Sequence, residues 1–191
     1  MMKKSIALLL LPALLVLPAC SSSTSSSSSD TSSAQQTAEF NDADVMFAQM
    51  MIPHHEQAIE MSDMALDPTI GASQQIIDLA TQIKNAQDPE IKQMKDWLAA
   101  WNKSLMPDDG MDHSSMMDGM LSADELTQLG ALTGASFDKA WSEAMIAHHK
   151  GAVEMAEDVL ENGSNPDVRQ LASSIIKTQQ AEIETLASLL S

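Results

Sequence analysis

The apolar and polar positions of most of the chain follow the period of an α-helix rather than that of a β-strand. From about residue 40 onward there is little β-branched alternation and no convincing β-hairpin signal. Start and stop signals divide this stretch into four long helices and a short one. The long helices are predicted to begin near Asn41, Ile70, Ser136 and Pro166, and the short one after Ser122. The sequence therefore predicts an all-α domain.

Capping residues support these boundaries. Ser122 and Glu125 have the spacing of a capping box. Ser136 is a candidate cap for the third long helix, and Asn165 precedes a proline at the first position of the fourth.

A repeat organises the domain. Residues 44–61 match residues 138–155 at a constant offset of 94, and the segments downstream match more weakly at an offset of 92. Each copy is therefore predicted to be a helical hairpin. Two such hairpins can bury each other's apolar faces as a four-helix bundle.

Methionine and histidine share one face of the first helix in each copy. At about 100° per residue, the two His pairs and the flanking methionines lie on a common stripe. The stripe contains Met51, His54, His55 and Met61 in the first copy, and Met145, His148, His149 and Met155 in the second. Imidazole binds several transition metals, and thioether sulfur is soft and selects Cu(I). Structural packing of the same side chains is the alternative, since methionine also fills cores.

The connection between the two copies, residues 104–121, is also rich in methionine. It contains Met111, His113, Met116, Met117 and Met120 beside glycine and aspartate. Apolar side chains gain little in an acidic loop, so copper capture is one explanation for them. A loop that packs on the bundle is the other.

The N-terminus predicts export. Residues 1–19 combine two lysines, a short apolar run and a small residue before Cys20, as in a signal peptide. The sequence before Cys20 resembles a bacterial lipobox, which implies lipidation of that cysteine and a membrane-anchored protein facing the periplasm or cell exterior. Residues 20–39 are Ser/Thr-rich and are predicted to form a flexible tether to the domain at 40–191.

Charge and cysteine content exclude several classes of function. The formal charge of −17 is the opposite of the basic footprint that nucleic-acid binding requires. Cys20 is the only cysteine, so a lipidated chain has no thiol for a disulfide, a zinc site or a nucleophile. Soft ligands would have to be methionine or histidine.

The doubled pattern Asp-x-x-Phe/Trp-x-x-x-Met-Ile-x-His-His-x-x-Ala-x-x-Met resembles the family known as domain of unknown function 305. The resemblance implies a ferritin-like four-helix bundle and, for some members, exported copper-binding proteins. It implies a metal-ligand set of Met51, His54, His55, Met61, Met145, His148, His149 and Met155. Asp44 and Asp138 occupy its acidic position, where they could bind metal, orient histidines or favour the helix dipole.

These features predict a lipid-anchored envelope protein that sequesters copper or transfers it to a copper-accepting partner. Cu(I) is favoured, with Cu(II), zinc and silver left open. A structural or interaction lipoprotein is the alternative, and a ferritin-like metal-dependent oxidoreductase is less favoured. No Glu-x-x-His pair and no other catalytic motif is present in the sequence, so an enzyme is not expected.

Overall fold

The computed structural model describes residues 39–107 and 117–191. This part of the chain is all-helical and has no strand. Its five helices are α1 (Asp42–Leu66), α2 (Gln74–Ala100), α3 (Ala123–Gly130), α4 (Gly134–Asn162) and α5 (Pro166–Leu189). The leader, Cys20, the tether up to residue 38 and residues 108–116 of the connection lie outside the described residues.

Several predicted caps are confirmed. Asn41 caps α1 in a capping box with Asp44, and Ser122 caps α3 in the same way with Glu125. Asn165 accepts hydrogen bonds from two backbone amides at the start of α5.

Two predicted helix starts are wrong. Ser136 lies inside α4, whose N-cap is Thr133, because the backbone amide of Gly134 is already tied to the carbonyl of Ile70. The second helix begins at Gln74 rather than near Ile70. The reason is a turn, in which the Ile70 amide bonds back to the carbonyl of Asp67.

The long helices form two hairpins that pack as a four-helix bundle. Helix α1 packs along α2, and α4 packs along α5, while α1 and α4 bring the two hairpins together. The short α3 packs on α4. Both α1 and α2 continue through an internal proline, Pro53 and Pro89. The predicted pair of repeated hairpins is thus confirmed.

The core consists of two apolar clusters. One includes Met51, Met94 and Trp101 and draws on the early turns of α1 and the late turns of α4. The other includes Met61 and Trp141 and draws on the late turns of α1 and the early turns of α4. The His pairs come between these two sets along both helices, so they occupy the middle of the bundle.

Each hairpin holds the loop of the other through an aspartate, and we call these two contacts the clasps. The buried Asp44 of α1 accepts hydrogen bonds from the backbone amides of Ser164 and Asn165, between α4 and α5. Asp138 of α4 accepts from the amide of Ser73, just before α2. These contacts give both aspartates a structural role, as acceptors for loop backbone.

Within the described residues, no helix combines the length and the apolar character needed to cross a membrane.

Candidate metal centre

Four histidines lie in the middle of the bundle, and all are almost completely buried. His54 and His55 of α1 and His148 and His149 of α4 are each at most 1% exposed. The rings of His54 and His148 face each other with centroids 3.8 Å apart. The structure therefore brings together the two pairs that the sequence places 94 residues apart.

A glutamate from the partner helix of each hairpin contacts the second histidine of each pair. Glu90 of α2 lies 2.8 Å from Nε2 of His55 and is hydrogen-bonded to it. Glu182 of α5 lies 2.8 Å from Nε2 of His149, at an angle outside hydrogen-bond geometry. A carboxylate beside one ring nitrogen fixes the orientation of an imidazole and increases its basicity toward a metal at the other nitrogen.

Most of the ring nitrogens that do not contact a glutamate have no hydrogen-bond partner in the protein. Nδ1 of all four histidines is buried and unpaired, and so is Nε2 of His148. Leaving a buried polar atom unpaired costs about 1–3 kcal/mol, and native proteins seldom accept that cost without a compensating role. Several such atoms in one place are therefore available to a bound ligand.

Burial keeps two of these histidines neutral. Burial, reinforced by the neighbouring His55, lowers the pKa of His54 to about 3. Burial and the adjacent His54 also hold the pKa of His148 well below its usual value of 6.5. Both rings therefore keep their lone pairs over the physiological pH range, and only a neutral imidazole binds a metal.

Two buried glutamines complete the polar middle of the bundle. Gln87 of α2 and Gln179 of α5 each have a side-chain oxygen without a hydrogen-bond partner. Each lies three residues before its glutamate, so Gln87 shares a helix face with Glu90, and Gln179 with Glu182. All four long helices therefore contribute polar side chains to this layer, which we call the histidine layer.

The glutamines and glutamates have no assigned role in the sequence-based prediction. The signal was nevertheless present, because Gln87, Glu90, Gln179 and Glu182 all belong to the segments that match at an offset of 92. A polar residue that recurs at the same place in both copies of a core helix is a sign of a shared function.

The end of the connection covers His54. The carbonyl of Asp118 lies 3.4 Å from Nε2 of His54. Gly119 and Gly151 permit this approach, since a Cβ on either would overlap backbone across the contact, from Ala147 in one case and from Asp118 in the other.

The predicted methionine ligands separate into two groups. Met51, Met61 and Met145 are fully buried. Met155 is half-buried and lines a surface groove with Met46 and Met50.

The predicted loop ligands are only partly described. Met117 is buried, and Met120 is half-buried in a cavity formed with α3 and α4. Met111, His113 and Met116 lie outside the described residues.

No group of three or more His, Cys, Asp or Glu side chains in residues 39–107 and 117–191 is arranged to hold a metal ion. The donors that the structure offers in this region are imidazole nitrogen and, one turn away on the same helices, the thioether sulfurs of Met51 and Met145. That combination suits a soft cation such as Cu(I) better than a hard one.

Fold and site together define an all-helical bundle with a buried, carboxylate-backed histidine layer. The chain belongs to the family described as domain of unknown function DUF305, which it matches over residues 44–190.

Solved structures of the family have the same fold. A DUF305 protein from Streptomyces coelicolor is 31% identical, with a TM-score of 0.72 over 78% of this chain and 91% of that one. A DUF305 fragment from Deinococcus radiodurans is also 31% identical, with a TM-score of 0.69 over 78% of this chain and 96% of that one.

A third similar protein, CopM, has structures with bound metal. Its Cu(I)-bound form is 34% identical, with a TM-score of 0.62 over 76% of this chain and 94% of that one. Its Cu(II)-bound form is 34% identical, with a TM-score of 0.64 over 77% and 95%. Silver-bound forms are also known.

A protein from Acanthamoeba polyphaga mimivirus is 38% identical over 53 residues. This match spans 28% of the chain and 35% of the viral protein, so it concerns only part of the domain.

Proposed function

We propose that this protein binds copper, as Cu(I), in the histidine layer of its helical bundle. The observation that carries the proposal is the group of buried, unpaired Nδ1 atoms on His54, His55, His148 and His149. A metal ion bound by one or two of these nitrogens, together with thioether sulfur, would remove the cost of leaving those nitrogens unpaired.

The chemistry of the surroundings supports a soft cation. Glu90 and Glu182 contact the Nε2 atoms of His55 and His149, which leaves the Nδ1 atoms as donors to a metal. Met51 and Met145 lie on the same helices within one turn of the His pairs and offer thioether sulfur. CopM, which has the same fold, is known in Cu(I)-, Cu(II)- and silver-bound forms, and this likeness favours copper over zinc.

The role that fits this site is sequestration or transfer of copper in the cell envelope. The leader at residues 1–19 and the lipobox-like sequence before Cys20 support export and a lipid anchor. The similar S. coelicolor protein is designated a secreted protein, which agrees with export. The methionines and His113 of the connection would then receive copper before it enters the bundle, and a copper-accepting protein would remove it.

Replacing the facing pair tests this proposal. The full chain carrying Cys20→Ser, which removes the thiol, is titrated with Cu(I) against a chromophoric chelator. His54→Leu/His148→Leu should lose high-affinity binding. It should unfold at the same or a higher urea concentration, because apolar side chains replace buried imidazoles whose Nδ1 atoms have no hydrogen-bond partner.

The matched control is His113→Ala, which removes the fifth histidine and should retain high-affinity binding. Circular dichroism verifies that each variant keeps its helices. Unchanged Cu(I) affinity in the His54/His148 variant would rule out the histidine layer and favour a structural role for these histidines. Loss of affinity in His113→Ala alone would place the site in the connection.

A further inference from the structure

A surface groove between α1 and α4 is lined by three methionines. Met46 and Met50 stand one turn apart on α1, and Met155 faces them from α4. Phe47 also lines the groove, which has a volume of about 360 Å³. Three methionines therefore line a space that opens to solvent, and no residue of the histidine layer lines it.

Packing does not explain the methionine at the rim. Met46 is 43% exposed, so its side chain gains little from burial. Large apolar side chains that are exposed are few in the described residues. Besides Met46 they are Leu105, Met106 and Leu190, which follow the ends of α2 and α5.

The two copies of the repeat differ at the methionine positions of the groove. The residues equivalent to Met46 and Met50 in the second copy are Ala140 and Ala144. Those alanines line a cavity with Leu129 of α3, which packs over that side of the bundle. Small residues are found where a helix covers the surface, and methionines where the equivalent surface is open.

The groove also carries negative charge. Glu154 and Asp158 of α4 line it beside Met155. Both are exposed, and within the described residues neither has a cationic partner among the ion pairs. Carboxylates next to thioethers raise the local concentration of cations and offset the charge of a bound ion.

We infer that this groove is a second metal site, which binds a soft monovalent cation, Cu(I) or Ag(I), through Met46, Met50 and Met155. The inference rests on the proposed function for the class of metal, but not on the histidine layer for its ligands. Its thioether donors and open position suit rapid exchange, in contrast to the enclosed histidines.

Silver is the probe, because it is soft and does not change oxidation state under the conditions of a titration. The full chain with Cys20→Ser is labelled with methyl-¹³C methionine and titrated with Ag(I), while NMR follows each methyl resonance. The resonances of Met46, Met50 and Met155 should shift together. Met46→Leu/Met50→Leu, which conserves volume, should lower the number of bound ions by one.

Met64→Leu is the matched control, since Met64 lies on the same helix and packs against the other apolar cluster. It should leave the number of bound ions unchanged. The His54→Leu/His148→Leu variant should retain the shifts at Met46, Met50 and Met155, which separates the two sites.

Two results would overturn the inference. In the first, Ag(I) leaves the Met46, Met50 and Met155 resonances of the parent protein unmoved, and Met46→Leu/Met50→Leu binds as many ions as the parent, while histidine-dependent binding persists. The histidine layer would then stand alone. The second is loss of the groove shifts in the histidine variant, which would mean that the methionines respond to the histidine layer and form no site of their own.

Discussion

Histidine protonation links the stability of the metal-free core to pH. The pKa of His54 is lowered to about 3 by burial and by His55, and that of His148 is also lowered well below 6.5 by burial and by His54. In the unfolded chain both would titrate near 6.5. Between about pH 6.5 and pH 3 the unfolded state therefore binds more protons than the folded state.

We expect the free energy of unfolding to be greatest above about pH 6.5 and to fall below it. Each of the two histidines should lower the free energy of unfolding by up to about 1.4 kcal/mol for each pH unit below 6.5 in this window. Urea unfolding with a metal chelator present, at pH 7 and pH 5, measures the effect. His54→Gln/His148→Gln should show a smaller decrease, and an equal decrease in both proteins would contradict the assignment of these two histidines.

At the scale of secondary structure elements, the clasps tie each hairpin to the loop of the other. Asp44 is fully buried and accepts backbone hydrogen bonds from Asn41, Ser164 and Asn165. Among the backbone amides of the described residues, Asp138 accepts from Ser73 alone, and it is half-buried. The first clasp should therefore contribute more to stability than the second.

Asp44→Asn tests this difference. The substitution keeps the shape of the side chain but removes its charge and places an amide N–H₂ among backbone donors. Loss of charge-assisted bonds to a buried acceptor should cost roughly 2–4 kcal/mol. Urea unfolding measures the cost, and Asp138→Asn is the comparison, with an expected cost of about 1 kcal/mol. Equal losses would mean that burial does not distinguish the two clasps.

At the scale of the whole molecule, the repeat made the architecture predictable from sequence. Periodicity and capping residues such as Asn41 and Ser122 locate helices, because their signals are local. The match at an offset of 94 then pairs the helices into hairpins. The start of α4 could not be predicted in this way. The helix begins at Gly134, before Ser136, and the amide of Gly134 donates to the carbonyl of Ile70, 64 positions earlier in the chain.

The site was less accessible to sequence reasoning. The His pairs could be recognised, since two adjacent histidines recur in both copies. Glu90 and Glu182 could not be assigned, because their distance to the histidines depends on how α2 and α5 pack. Helical periodicity alone placed Met155 with the histidines on one stripe, whereas the structure places it in the groove with Met46 and Met50.

The crossed clasps also bear on the covalent link between the hairpins. Since Asp44 and Asp138 act across the hairpins, a chain broken between residues 107 and 117 should still assemble from its two halves. Copurification of co-expressed halves would verify this, and halves that remain separate would contradict it. The register of the bundle then makes no demand on the sequence of the link. If the halves assemble, the link could be lengthened, shortened or changed in methionine content while the fold persists.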